Sequence, residues 1–193
     1  MLIKNDFVVA APVETVWKYF DDIPTVAACL PGAEITDNLG DNRYKGRVAV
    51  RMGPVKLRFG GIANIVERND SAKRMRVQAS GSEEGGKGQA EMNLTASLSG
   101  TGGGTRVLVE QDLLLSGAAA QYGRGMISDV TSVLMNQFAS NLQSRIGAAE
   151  RGEAVRTSGA RSASGLSIGF SAMMLALKRA FRRFFAPYQP TAR

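Results

Sequence analysis

Side-chain chemistry needs a base, a nucleophile, a metal set or a phosphate cradle, and this 193-residue chain offers little of each. It has no histidine, which removes the commonest general base and the commonest transition-metal ligand. Its one cysteine, Cys29, excludes an internal disulfide and a thiolate zinc site. Cys29 precedes Leu30 and a Pro31-Gly32 turn, so it reads as a small buried hydrophobe; a cavity wall or a partner contact are the other readings. Asp21-Asp22 and Glu83-Glu84 are adjacent in sequence. Adjacent side chains point apart on a helix or strand, so neither pair makes an acid–base dyad, and both read as solvated or capping groups. The run from Gly81 to Gly88, GSEEGGKG, stops one residue short of a phosphate-binding loop. Gly88 stands where a Ser or Thr would hold magnesium, and a strand pattern follows where a helix is needed. It reads as a hairpin turn, as does Gly102-Gly103-Gly104.

The elements that must position these groups are clearer than the chemistry. Residues 2–9 alternate as a strand. Pro12 and Glu14 open a helix with Val13, Val16, Trp17 and Phe20 at helical spacing. Asp22-Ile23-Pro24 breaks it, and a second short helix runs to Leu30. From Ala33 to Ser116 strand follows strand. Tyr44, Gly46, Val48, Val50 and Met52 share one face, with Lys45, Arg47 and Arg51 on the other. Val55, Leu57, Phe59, Gly61, Ala63 and Ile65 form the next face, then Met75, Val77 and Ala79, then Ala90, Met92, Leu94, Ala96 and Leu98, then Val107, Val109, Gln111, Leu113 and Leu115. Turn residues separate them, which predicts an antiparallel sheet with one buried face. After Gly117 the period changes. Tyr122, Met126, Ile127, Val130, Val133, Leu134, Phe138, Leu142 and Ile146 form the stripe of one long amphipathic helix. The expectation is an α+β domain: a curved seven-stranded sheet around a long C-terminal helix, with two short helices after the first strand.

Charge divides the chain. The total is +7, yet residues 1–149 hold 16 basic and 15 acidic side chains, and residues 150–193 hold 8 and 2. The basicity belongs to the tail, and a nucleic-acid partner is not expected. Residues 147–165 are small, polar and Gly/Ser-rich, as a flexible linker is. The start, MLIKNDFVV, reads as a strand without the apolar core of a signal peptide, so a cytoplasmic location is expected.

The order of elements resembles the START-like, helix-grip superfamily. The segments APVETVWKYFDD, VAACLPGAE, GPVKLRFGG and GTGGGTRVLVEQDLLLSGAAAQYGRGMI are similar to those of the CoxG family of carbon monoxide dehydrogenase subunits. The likeness covers about residues 1–146, taken as a ligand-binding domain. It implies a non-catalytic accessory of molybdenum CO dehydrogenase, or of a related molybdenum hydroxylase, that recruits the enzyme to the membrane and handles respiratory quinone in an internal cavity. No metal of its own is implied.

On that fold the small residues Gly46, Gly61, Ala63, Ala79 and Ala90 leave room beneath adaptable methionines. The expected pocket takes Val48, Val50 and Met52, then Leu57 and Phe59, Met75 and Val77, Met92 and Leu94, and Leu113 and Leu115 from successive strands. Tyr122, Met126, Val130 and Phe138 face them from the helix. An isoprenoid quinone would suit it, menaquinone ahead of ubiquinone, since each buried methylene contributes roughly 0.8 kcal/mol. Tyr122 and Arg51 are candidates for meeting a polar head group, although strand alternation points Arg51 outward.

The tail, residues 166–193, has its own pattern. Phe170, Met174, Leu177, Phe181, Phe184 and Phe185 form one stripe, and Lys178, Arg179, Arg182 and Arg183 lie opposite. The charge-free run Ser162–Leu177 is shorter than the ~20 residues a spanning helix needs. A helix lying on an anionic membrane surface fits better, each cation adding about 1 kcal/mol. The protein is therefore expected on the inner face of the cell membrane, moving quinone between bilayer and dehydrogenase. The alternatives are a recruitment or assembly factor with no ligand, and an enzyme of the cyclase or hydratase kind, which the missing histidine disfavours.

Overall fold

The computed structural model describes residues 1–86 and 88–151. Seven strands form one antiparallel sheet: β1 (Leu2–Val9), β2 (Ala33–Gly40), β3 (Arg43–Met52), β4 (Val55–Asn69), β5 (Arg74–Glu83), β6 (Gln89–Thr101) and β7 (Gly104–Leu115). Their spatial order is β1-β7-β6-β5-β4-β3-β2. Every neighbouring pair apart from β1 and β7 is joined by a short turn, which closes the meander locally. Two short helices, α1 (Val13–Tyr19) and α2 (Ile23–Ala27), fill the connection from β1 to β2. A 3-10 turn over Gly117–Tyr122 leads into the long helix α3 (Gly123–Glu150). The expected α+β architecture is the one observed.

Two boundaries differ from the sequence reading. The last helix does not begin at the start of the apolar stripe, because Gly117–Tyr122 are wound more tightly and α3 starts only at Gly123. At the other end α3 continues through Glu150, so residues 147–150 are helix rather than linker. Alanine and glutamate there are good helix formers, and helical turns already built carry them. Residues 152–165 of the expected linker, and the whole basic tail with Phe170, Met174, Leu177, Lys178, Arg179, Phe181, Arg182, Arg183, Phe184 and Phe185, lie outside the described residues.

The short helices are held by particular contacts. Asp22 caps α2, accepting from the Thr25 backbone N–H at 3.1 Å and its hydroxyl at 2.6 Å. The Trp17 indole donates to Asp70 Oδ1 at 2.7 Å, and the Arg68 guanidinium lies 4.4 Å from the Trp17 ring centroid. Arg68 also donates to the Phe20 carbonyl at 3.0 Å and pairs with Asp21 at 2.6 Å. This clamp ties α1 to the β4–β5 end of the sheet.

The sheet's inner face carries two buried apolar clusters. One gathers Val9, Val16, Trp17, Phe20, Cys29, Met75, Leu98, Val107, Val109, Phe138, Leu142 and Ile146 under α1 and α2. The other gathers Ile3, Met52, Leu57, Phe59, Ala119, Ile127 and Val130 under the first half of α3.

Candidate functional site

Cross-strand register shows why the two clusters differ. Inward-facing residues form rows across the sheet. One row runs Ile35–Gly46–Gly61–Gly81–Ala90–Leu115, and the next runs Tyr44–Ala63–Ala79–Met92–Leu113. The first is almost bare of side chains. A Cβ at Gly61 would lie 2.1 Å from the Ser80 carbonyl oxygen, and one at Gly46 would lie 2.6 Å from that of Glu34. The strands approach too closely there for any larger residue. Further along, the rows fill: Ile65–Val77–Leu94–Gln111–Ile3, then Met75–Ala96–Val109–Asn5, then Leu98–Val107–Phe7.

Above the bare rows lies a cavity of about 330 Å³, almost wholly apolar and not sealed from solvent. That is at the lower end of the range for small-molecule pockets. The structure brings nine of the expected pocket residues to its wall: Val48, Val50, Met52, Leu57, Phe59, Met92, Leu113, Leu115 and Val130.

The other six go elsewhere. Met75, Val77, Leu94 and Phe138 belong to the closed core, where Phe138 meets Phe7 edge-on at 5.9 Å between ring centroids. Alternation places the three strand residues on the correct face, but they lie in the filled rows. Met126, expected to face inward, is exposed near the start of α3, ahead of the point where the helix settles on the sheet. Tyr122 packs against the second cluster without lining the cavity. Arg51 is exposed, as alternation required.

Several wall residues lie outside the expected set. Leu30 comes from the turn after α2, Ala33 from the start of β2, and Ala119 from the 3-10 turn. Ile127, Thr131, Leu134 and Met135 descend from α3. Ile127 and Leu134 are visible in the helical stripe. Thr131 is not, and its hydroxyl donates back to the Ile127 carbonyl at 2.8 Å. Gln111 is also on the wall, a polar residue only 6% exposed.

The groups singled out for chemistry prove structural. Cys29 is fully buried in the closed core, where it donates weakly to the Thr25 carbonyl at 3.5 Å, and burial pushes its thiol pKa up. Glu84 faces Arg47 and Arg58 at 3.8 and 4.0 Å, and Glu83 accepts from the Gly85 N–H at 2.8 Å. Gly81 lies within β5 and the loop returns directly into β6, so the segment is a hairpin; Lys87 itself is outside the described residues. Among the described residues no three His, Cys, Asp or Glu side chains are grouped to hold a metal, and no helix is long and apolar enough to cross a membrane.

The near-balance of charge in the domain conceals a local imbalance. Arg43, Lys45, Arg47, Arg51, Lys56 and Arg58 are all exposed on the outward side of β3 and β4, the strands whose inward side walls the cavity.

A curved antiparallel sheet gripping a long helix, with a cavity between them, defines a START-like, helix-grip protein. A conserved protein from Geobacillus kaustophilus shares the fold at a TM-score of 0.68 and 18% identity, over 76% of this chain and 95% of that one. A Thermus thermophilus protein follows at 0.57 and 20%, over 77% and 99%. The Zhui aromatase/cyclase of a Streptomyces species gives 0.56 and 13%, over 80% and 99%. These likenesses establish the fold alone. Among curated proteins, none matches the chain. Residues 6–147 match the CoxG family of carbon monoxide dehydrogenase subunits, and the chain belongs to that family.

Proposed function

We propose that this protein is a non-catalytic carrier that takes an isoprenoid quinone into the cavity and exchanges it between the membrane and a molybdenum CO dehydrogenase. The observation that carries the reading is the cavity itself: apolar, open to solvent, and kept clear by a row of glycines and alanines. Water held against such a wall gains few hydrogen bonds, whereas a hydrocarbon-rich ligand gains roughly 25 cal/mol for each Å² it buries. A whole polyprenyl quinone exceeds the space, so one end lies inside and the rest leaves by the open side. The charged residues on the described wall are Glu34 and Arg47, both exposed. Electron transfer belongs to the partner, which the family name identifies as carbon monoxide dehydrogenase.

Of the six cations on the outward side of β3 and β4, Arg47 and Arg58 share Glu84, and Arg43, Lys45, Arg51 and Lys56 support docking against an anionic surface beside the cavity. Near an anionic leaflet each contributes up to about 1 kcal/mol. The basic tail adds to this in the proposed arrangement, as does its placement on the inner face of the cell membrane. Menaquinone is the favoured ligand.

The test is quinone uptake from anionic vesicles loaded with menaquinone. Met92→Arg places a charge on the wall, so uptake should fall at least tenfold while co-sedimentation with the vesicles persists. Uptake undiminished in the variant would show that the quinone sits elsewhere. No uptake by the wild type, with vesicle binding intact, would favour a recruitment or assembly factor that carries no ligand.

A further inference from the structure

Strand pairing is uneven along the β3–β4 hairpin. Up to Val48 and Phe59 both strands are paired on both sides: Val48 opposes Ala33 as well as Phe59, and Phe59 opposes Glu83 as well as Val48. At the next residues each strand keeps one tie to its outer neighbour. The Ala49 N–H donates to the Gly32 carbonyl at 2.9 Å, and the Glu84 N–H donates to the Arg58 carbonyl at 2.7 Å. From Val50 to Leu57 the two strands pair only with each other among the described residues. A lone two-stranded ribbon is marginally stable in water, so side chains must hold it. Met52 and Leu57, 5% and 4% exposed, do so in the cluster with Ala119, Ile127 and Val130. All five, with Val50, line the cavity. The tip of the hairpin thus bridges the sheet and the start of α3 and closes that end of the cavity by apolar contact. Its root is built to bend. Gly46, Gly61 and Gly81 stand in one row across β3, β4 and β5 just below it. Gly60 precedes Gly61, yet a Cβ there would meet nothing within 4 Å, and its φ is not positive. Neither space nor backbone demands glycine at 60; its effect is a strand freer to bend. Glu84 latches the root loosely, its carboxylate 3.8 Å from Arg47 and 4.0 Å from Arg58. Exposed ion pairs of this kind are weak.

We infer that Val50–Leu57 is a lid on the cavity, hinged at the glycines beneath its root and latched by Glu84, and that ligand enters and leaves as it lifts. This rests on the carrier reading and deepens it. A flat quinone ring needs a wider passage than its chain, so part of the wall must yield, and the hairpin tip is held by few ties. Lifting it parts Met52 and Leu57 from Ile127 and leaves the pairing within the ribbon intact. Arg51 and Lys56 are exposed on its outer side, so the lid presents cations to the anionic surface at which exchange takes place.

The probe is N-phenyl-1-naphthylamine, which is uncharged and fluoresces in apolar surroundings. Its uptake and release by the full-length protein are followed by stopped flow, with Ala79→Phe, whose cavity is filled, as the background. Gly60→Val stiffens the hinge and should slow uptake and release alike, by about threefold. Glu84→Gln frees the latch and should speed both by about twofold. Neither should change the affinity, because a lid alters the path and not the bound state. Hydrogen exchange of the wild type, which needs no variant, should show the Val50–Leu57 amides opening before those of Arg43–Gly46 on the same strand pair, and slowing once the probe is bound. Unchanged rates in either folded variant, or an affinity that shifts in step with one rate alone, would overturn the lid while leaving an apolar carrier standing. A wild type that binds no probe above the background would overturn the carrier reading and this inference together.

Discussion

Rows of the sheet near the short helices and rows near the β3–β4 hairpin follow the same alternating pattern, yet one set is packed solid and the other is open. Under α1 and α2 the inward positions hold Met75, Val77, Leu94, Leu98, Val107 and Val109, and α3 lays Phe138, Leu142 and Ile146 onto them. Side-chain hydrogen bonds pin α3 at this end: Asn141 to the Cys29 carbonyl at 2.9 Å, Gln143 accepting from the Ala10 N–H at 2.6 Å, and the Tyr19 hydroxyl to the Arg145 carbonyl at 3.0 Å. At the other end Gly46, Gly61, Gly81, Ala63, Ala79 and Ala90 withdraw side-chain volume while the helix still passes overhead. A cavity therefore needs no special machinery. It needs one rigid end to hold the helix and small residues at the other to keep it from settling.

Truncations at the two ends should differ most. Leu142→Ala removes a fully buried side chain and should destabilise by about 2–5 kcal/mol, as read by denaturant melts. Met92→Ala on the cavity wall should cost clearly less, under about 2 kcal/mol, because its surroundings are already open. Equal losses would mean that the two ends are packed alike. Filling the space is the opposite manipulation. Ala79→Phe should abolish menaquinone uptake while moving the melting temperature little, since the new ring occupies the cavity instead of displacing packed neighbours.

The clamp gives a smaller effect with a defined pH dependence. The hydrogen bond from Trp17, and then Arg68, hold the Asp70 carboxyl below its ordinary value of 3.8. A carboxylate whose folded pKa is lowered stabilises the fold above its unfolded value, and that contribution disappears as pH falls through the folded one. Asp70→Asn should therefore narrow the stability gap between pH 7 and pH 3, measured by thermal melts at the two pH values. The smallest effect concerns Cys29. Burial raises its pKa, so in the native protein it should resist alkylation at neutral pH and react at the rate of global unfolding.

The fold is largely legible in the sequence because alternation and helical spacing are local signals. The inward face of each strand can be read this way, from Tyr44 through Met52 on β3 to Val107 through Leu115 on β7. What alternation cannot give is position along the strand. Met75, Val77 and Leu94 face the helix just as Met92 does, and only cross-strand register shows that they stand in filled rows. A signal that separates them is present: glycine or alanine recurs on β3, β4, β5 and β6, and pairing those positions marks the open end. Gln111 falls in an apolar face, where a single polar residue in a strand pattern carries no hint of burial. The cationic side of β3 and β4 is hidden for a different reason, since counting charges over 149 residues averages out a face that only pairing assembles.

Quinone stoichiometry puts the carrier reading at greatest risk. Full-length protein is incubated with menaquinone-loaded vesicles and separated without detergent, and the extracted quinone is quantified by mass spectrometry beside Ala79→Phe treated identically. Close to one quinone per wild-type chain and almost none in the variant is the expected result, with similar melting temperatures for both. Equal quinone in both proteins would place the ligand outside the cavity and contradict the carrier reading.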